Sequence, residues 1–174
     1  MKERLLLLVG LAVLAGAVVY AMRERQRQLP LVVQPSVPFN HQQHIAAGFT
    51  CAACHVYADA QAFAGIPAVK DCLECHASWG AKTPGQAKIE PYLKQLAEEG
   101  EEIPWKKVYR VPGHTYFSHQ RHVTLAKLDC AVCHGDLSKV TSPVVRQAIP
   151  IKMDRCLECH RQQKVTTDCL ACHR

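Results

Sequence analysis

Aromatic residues make up only 6% of this 174-residue chain, and its large aliphatic side chains cluster in the first 22 positions. Beyond them too few apolar side chains remain for a self-sufficient core, so something else must hold the rest of the chain together. Methionine is equally scarce. Met1 and Met22 fall in the N-terminal segment, which leaves Met153 as the one methionine placed to ligate a metal. No cysteine is left over from a close pair, and none lies near the apolar N-terminus, which excludes a lipoprotein processing site. The formal charge of +6 would suit an anionic partner such as nucleic acid. That reading carries little weight, because acidic prosthetic groups would cancel the sum, and no nucleic-acid partner is expected.

Cysteine is what the chain has in excess. Ten cysteines form five pairs: Cys51 and Cys54, Cys72 and Cys75, Cys130 and Cys133, Cys156 and Cys159, Cys169 and Cys172. Each pair encloses two residues and is followed at once by a histidine: His55, His76, His134, His160 and His173. CxxCH is the haem c attachment signature. Two thiols add across the two vinyl groups of one porphyrin, and the next residue brings an imidazole beneath the iron. A disulfide framework would not call for a histidine after every second cysteine. Zinc knuckles work in pairs that supply four ligands, and five knuckles do not pair evenly. Five covalently attached haem c groups are expected, and their propionates are the acidic charge invoked above.

Lys2 and Arg4 precede an uncharged run over 5–22, and Arg23, Arg25 and Arg27 follow it. At about 1.5 Å per residue this run spans ~27 Å, close to the hydrocarbon thickness of a bilayer. The small-residue pattern Ala15-Gly16-Ala17 sits inside the run rather than at a polar cleavage site, so an uncleaved anchor fits better than a signal peptide. The arginines oppose the positive-inside rule. Haem c, however, is attached outside the cytoplasmic membrane, so the cysteines must be exported. The expectation is one N-terminal transmembrane helix within 1–27, in the bacterial cytoplasmic membrane, with the haem domain facing the periplasm. Residues 28–37 read as a proline-stiffened spacer.

The remainder contains an internal repeat. The segment 38–55, PFNHQQHIAAGFTCAACH, matches 116–134, YFSHQRHVTLAKLDCAVCH, with one extra residue before the first cysteine of the second copy. Phe39 aligns with Phe117, His41 with His119 and His44 with His122. IPAVKDCLECH at 66–76 then matches IPIKMDRCLECH at 149–160. The second copy adds a further CxxCH at its end and His114 upstream. This divides the chain into a dihaem unit over 38–76, a connecting segment over 77–113 and a trihaem unit over 114–174. The fold class expected is mostly irregular with short α-helices, stapled by haem.

Of ten histidines, five lie in the motifs and five remain: His41, His44, His114, His119 and His122. Five haems each need one more axial ligand, so the count fits two histidines per iron. A methionine ligand at Met153 would instead raise that haem's potential. In the connecting segment, 89–100 reads as a helix starting at Glu90-Pro91 and stopping at Gly100, with Ile89, Leu93 and Leu96 on one face. It reads as a cover for one side of the haem stack. Trp105, Tyr109 and the basic Lys106, Lys107 and Arg110 fit either a partner contact or a solvated face with two haem-packing aromatics.

The F-x-H-x-x-H segments, Phe39 to His44 and Phe117 to His122, each followed by CxxCH, resemble the class III multihaem cytochromes c. That resemblance implies that the first histidine of each segment ligates the haem of the next CxxCH. His41 would then serve the Cys51/Cys54 haem, and His119 the Cys130/Cys133 haem. It implies that His44 and His122 reach neighbouring haems, those of Cys72/Cys75 and Cys156/Cys159, and leaves His114 for the last. With its anchor and IPWKKVYRVPGHTYFSHQRHV at 103–123, the chain also resembles the membrane-anchored pentahaem subunits of alternative complex III. This implies a non-catalytic electron relay within a larger respiratory complex, from a quinol-oxidising partner to a periplasmic acceptor. Stand-alone quinol dehydrogenases of the NapC type place a methionine after the first CxxCH, where this chain has Val56 and Tyr57. A multihaem enzyme would need one haem with an open position. The CxxCK site of pentahaem nitrite reductases is absent from the sequence.

Overall fold

The computed structural model describes residues 2–28, 37–77, 80 and 83–173; within the first helix, side chains are described at Arg4 and over 10–23. The chain forms two compact units, Met1–Leu31 and Val32–Arg174.

The first unit is helix α1, Lys2–Gln28. Its described apolar side chains, including Leu11, Leu14, Val18 and Val19, are exposed all round instead of along one stripe. Among the described residues no helix is long and apolar enough to cross a membrane. The side chains of 5–9, the first part of the expected span, lie outside the described residues, as does 29–36, most of the expected spacer.

The second unit is built from short helices: α2 His41–Ala46, α3 Cys51–Cys54, α4 Val69–His76, α5 Pro84–Glu99, α6 Ala131–His134, α7 Met153–Gln162 and α8 Cys169–Cys172. A π-helical turn, Arg121–Leu125, and a 3-10 turn, Leu137–Lys139, complete it. Among the described residues there is no β-strand, only an isolated antiparallel bridge between Thr115 and His173.

Capping explains where these helices start. Asn40 accepts from the Gln43 backbone N–H at 3.1 Å to open α2. Asp71 accepts from the Ala68 N–H at 2.8 Å to open α4. Helix α5 begins earlier than Glu90-Pro91: Thr83 caps it through the Gln86 N–H at 3.2 Å, and Pro84 fills the first turn. Pro91 lies inside the helix, and Gly100 ends it in the left-handed conformation (φ 70°).

The apolar core is small. Val37, Val69, Leu93, Leu96 and Ile103 are its buried members, flanked by Phe39, Leu73, Ile89, Tyr92 and Trp105. It sits where α4 packs on α5, and the chain after α5 ties it down. Glu102 accepts from the Val69 N–H at 2.8 Å, and the Trp105 indole donates to the Pro67 carbonyl at 2.8 Å. Around the other CxxCH motifs, large apolar side chains remain exposed, among them Val56, Phe63, Leu125, Met153 and Leu170.

Candidate functional site

Each CxxCH motif starts or ends a short helix. Helices α3 and α8 span the two cysteines of their motifs, while α4, α6 and α7 carry the motif histidine in their last turn. Side chains one turn apart on a helix share a face, so the two thiols of each motif point the same way. None of the ten cysteines forms a disulfide. Burial, followed by Cys54, Asp71, Glu102 and Cys75, pushes the Cys72 thiol up to about 11. Burial likewise raises Cys54, Cys130, Cys133 and Cys156.

The histidines meet in pairs, each joining one motif histidine to one upstream histidine. Ring centres lie 6.2 Å apart for His44 and His76, 6.4 Å for His119 and His134, 6.2 Å for His122 and His160, and 5.5 Å for His114 and His173. Burial, then the charge of His55 and that of His44, holds the pKa of His41 below 6.5. His134 is lowered in the same way, by burial first, then by His119 and His55. Both imidazoles are thereby kept neutral, the form that ligates a metal.

This geometry fits a haem. Metal–imidazole bonds run about 2.0–2.1 Å, so two rings on opposite sides of one metal have centres roughly 6 Å apart. Among the described residues no group of three or more His, Cys, Asp or Glu side chains is gathered to hold a metal ion. Pairs of imidazoles beside pairs of thiols match a macrocycle that supplies its own four equatorial nitrogens and takes two covalent bonds. A cavity of about 460 Å³ beside Cys54, lined also by Tyr57, Ile66 and Ala68, is in the size range of cofactor pockets.

The orientation of five of the ten imidazoles is set by backbone carbonyls, while the buried Nδ1 atoms of His41 and His76 have no hydrogen-bond partner. The Nδ1 atoms of His44, His55, His119, His122 and His160 pair with the carbonyls of Asn40, Gly65, Ala62, Ser118 and Thr166, at 2.7–3.0 Å. A carbonyl can only accept, so Nδ1 carries the proton and Nε2 is left with its lone pair for a metal. His44 and His122 each reach back four residues to the carbonyl at the entry of their own helical turn. Gly65 offers its carbonyl from a left-handed turn (φ 80°), where a Cβ would meet the Tyr57 ring at 2.8 Å. Only glycine suits that position.

Three aromatic residues belong to the site beyond the histidines. Phe39 stands between His41 and His44, with ring centres 4.7 and 4.5 Å away. Phe117 holds the same place between His119 and His122, at 4.9 and 4.8 Å. Tyr109 sets its edge against His134 at 4.4 Å and accepts from the Ala148 N–H at 3.0 Å. The repeat pointed to both phenylalanines without giving them a role. For Tyr109 the sequence offered two readings, a partner contact or a haem-packing aromatic, and its place against His134 fits the second. Met153 is 65% exposed. Trp105 belongs to the α4/α5 core.

Two family comparisons and one relative agree with this geometry. Residues 17–97 match the class III cytochrome c family, and residues 115–174 match cytochrome c7 and related cytochromes c. The chain is 25% identical over 162 residues to the multihaem cytochrome c subunit of menaquinone reductase from Nitratidesulfovibrio vulgaris, covering 79% of this chain and 76% of that protein. The resemblance read from the F-x-H-x-x-H segments is borne out at the level of class III and c7 domains. These families support electron carriage, rather than catalysis, as the role of the chain.

Proposed function

We propose, from the class III- and c7-type multihaem cytochrome domains the chain carries, that it is a membrane-anchored pentahaem relay within a quinone-linked respiratory complex. The observation that carries this reading is the set of four opposed imidazole pairs, each beside its own CxxC, with His41 close enough to His55 to feel its charge. His55, His76, His134, His160 and His173 would be the motif ligands, opposed by His41, His44, His119, His122 and His114 respectively. The ten motif cysteines would hold five haems covalently. Haem c, when bound, supplies a one-electron Fe(III)/Fe(II) couple whose potential follows ligand, burial and hydrogen bonding. The chain's own residues orient the imidazoles, exclude a third ligand and set the spacing between sites.

Two histidines per iron leave no position for substrate, so the quinone site belongs to a partner subunit. The relative's name speaks of menaquinone reduction. This favours delivery of electrons from a reduced periplasmic donor to the quinone over the quinol oxidation that the alternative complex III resemblance implied. Each quinone takes two electrons and two protons, and the relay passes the electrons singly. Helix α1, with uncharged side chains exposed all round over 10–22, would anchor the haem domain on the periplasmic face.

Mild-detergent purification from the native membrane tests both parts. The expected result is a chain carrying five haems by mass, low-spin in both oxidation states and inert to carbon monoxide, recovered with partner subunits. High-spin haem that binds carbon monoxide at one site per chain would replace the relay with a catalyst. Recovery as a lone monomer would sink the complex.

A further inference from the structure

The sites are named here by their motif histidines. Sequence order would place the His76 site next to the His134 site, because those motifs are consecutive. The structure joins different ones. The loop 56–65, which follows His55 directly, presents two carbonyls to two sites. Gly65 accepts from His55 Nδ1 at 2.8 Å, while Ala62 lies 3.0 Å from both the backbone N and the Nδ1 of His119. The Gln120 N–H donates to the Gln61 carbonyl at 3.0 Å, and the Thr124 hydroxyl donates to the Asp59 carbonyl. The loop of the first repeat's first site therefore orients the upstream histidine of the second repeat's first site.

The other links are internal to each repeat. Phe39 bridges His41 and His44; His44 faces His76, and His41 lies close enough to His55 to feel its charge. Phe117 bridges His119 and His122, which face His134 and His160. The loop after α7 gives Thr166 to His160 Nδ1 at 2.7 Å and runs straight into Cys169. The last site is then clasped by the segment before Phe117: Tyr116 N–H donates to the Cys172 carbonyl at 2.8 Å, and Thr115 bridges to His173.

We propose that the five sites stand in single file in the order His76, His55, His134, His160, His173, with the two repeats joined through their first sites. This rests on the five-haem reading above. The thiols agree with this order, since at each junction cysteines of two motifs lie near enough to influence each other electrostatically. After burial, Cys54 is the largest contributor at Cys72, Cys51 at Cys130, Cys159 at Cys133 and Cys172 at Cys156. The ends of the file are the His76 site beside α5 and the His173 site at the far end of the second repeat. A donor and an acceptor thus dock at opposite repeats. Each hop moves one electron and makes or breaks no bond.

The test uses the full-length holoprotein in detergent micelles, reduced so that every low-spin iron is diamagnetic. Each haem is assigned to its motif through contacts between its thioether groups and the cysteine β-protons, and haem-to-haem nuclear Overhauser contacts are then mapped. The expected contacts join His76 to His55, His55 to His134, His134 to His160 and His160 to His173. A contact between the His76 and His134 haems, or absence of one between the His55 and His134 haems, overturns the order. A chain with fewer than five haems by mass, or a high-spin spectrum, overturns the underlying reading instead.

Discussion

An imidazole serves a metal through an unprotonated nitrogen, and at five of the ten histidines here a backbone carbonyl decides which nitrogen that is. Replacing His122 by alanine removes one of two opposed rings, 6.2 Å apart, and leaves the partner His160 held by Thr166. The expected outcome is one high-spin haem per chain that binds carbon monoxide, with the other four unchanged, read from visible and electron paramagnetic resonance spectra. Gly65→Ala acts from further away. It puts a side chain into a left-handed turn, at a cost of about 1–2 kcal/mol, and drives a Cβ against Tyr57. The expected effect is a lower unfolding temperature and a shifted potential at the His55 haem alone; unchanged redox titration would refute the link through the Gly65 carbonyl. The CxxCH histidines were legible in the sequence because covalent attachment fixes their spacing. The carbonyls of Ala62 and Gly65 were not, because any residue can offer a carbonyl and only loop conformation aims it.

At the scale of elements, the two copies of the repeat differ by one residue, and the structure shows where it goes. In the first copy α2 is followed by Gly48 at φ 93°, and the Phe49 N–H closes on the His44 carbonyl at 3.2 Å. In the second, the π-helical turn Arg121–Leu125 leads to Lys127 at φ 56°, and the Leu128 N–H closes on the His122 carbonyl at 3.0 Å. The same closure spans one more residue, and the widened π turn absorbs it. Lys127 thus occupies the position glycine holds in the first copy. Lys127→Gly should stabilise the holoprotein by about 1 kcal/mol by relieving left-handed strain, seen as a higher thermal midpoint; a lower midpoint would mean that Lys127 makes a compensating contact. The extra residue was visible in the sequence, but its form was not, since a loop or a bulge would align equally well. The start of α5 was misread for a related reason. Pro91 looked like a first-turn proline, yet the Thr83 and Pro84 pair supplies a stronger start, and the interior proline is carried by packing of Leu93 and Leu96.

For the molecule as a whole, the scarcity of core residues is the governing fact. Among the described residues five apolar ones are buried, all around α4 and α5, against the many exposed near the other motifs. A chain expressed without haem attachment is therefore expected to lose most of its helical signal, because a core this small does not offset the conformational entropy of the domain. Far-ultraviolet circular dichroism checks this, and a native-like spectrum would refute it. The two compact units predict a second outcome. Replacing residues 1–28 with a cleavable export signal should leave the haem spectrum intact while abolishing membrane association. Loss of haem incorporation would show that α1 takes part in folding. The sequence foretold the poor core and the helical N-terminus because both follow from where the aliphatic residues lie. It did not foretell which sites adjoin, because that depends on contacts between loops far apart along the chain.

The pairing of histidines also orders events in time. A chain delivered across a membrane amino end first presents His41 shortly before His55, and His119 shortly before His134. His114 emerges before any motif histidine of the second repeat, yet its partner His173 follows all of them. Short loops close early and cheaply, and the long one closes last. On the five-haem reading, the clasp of Thr115 and Tyr116 on α8 would close last, and an unclasped His114 would mark a chain still waiting for its last haem.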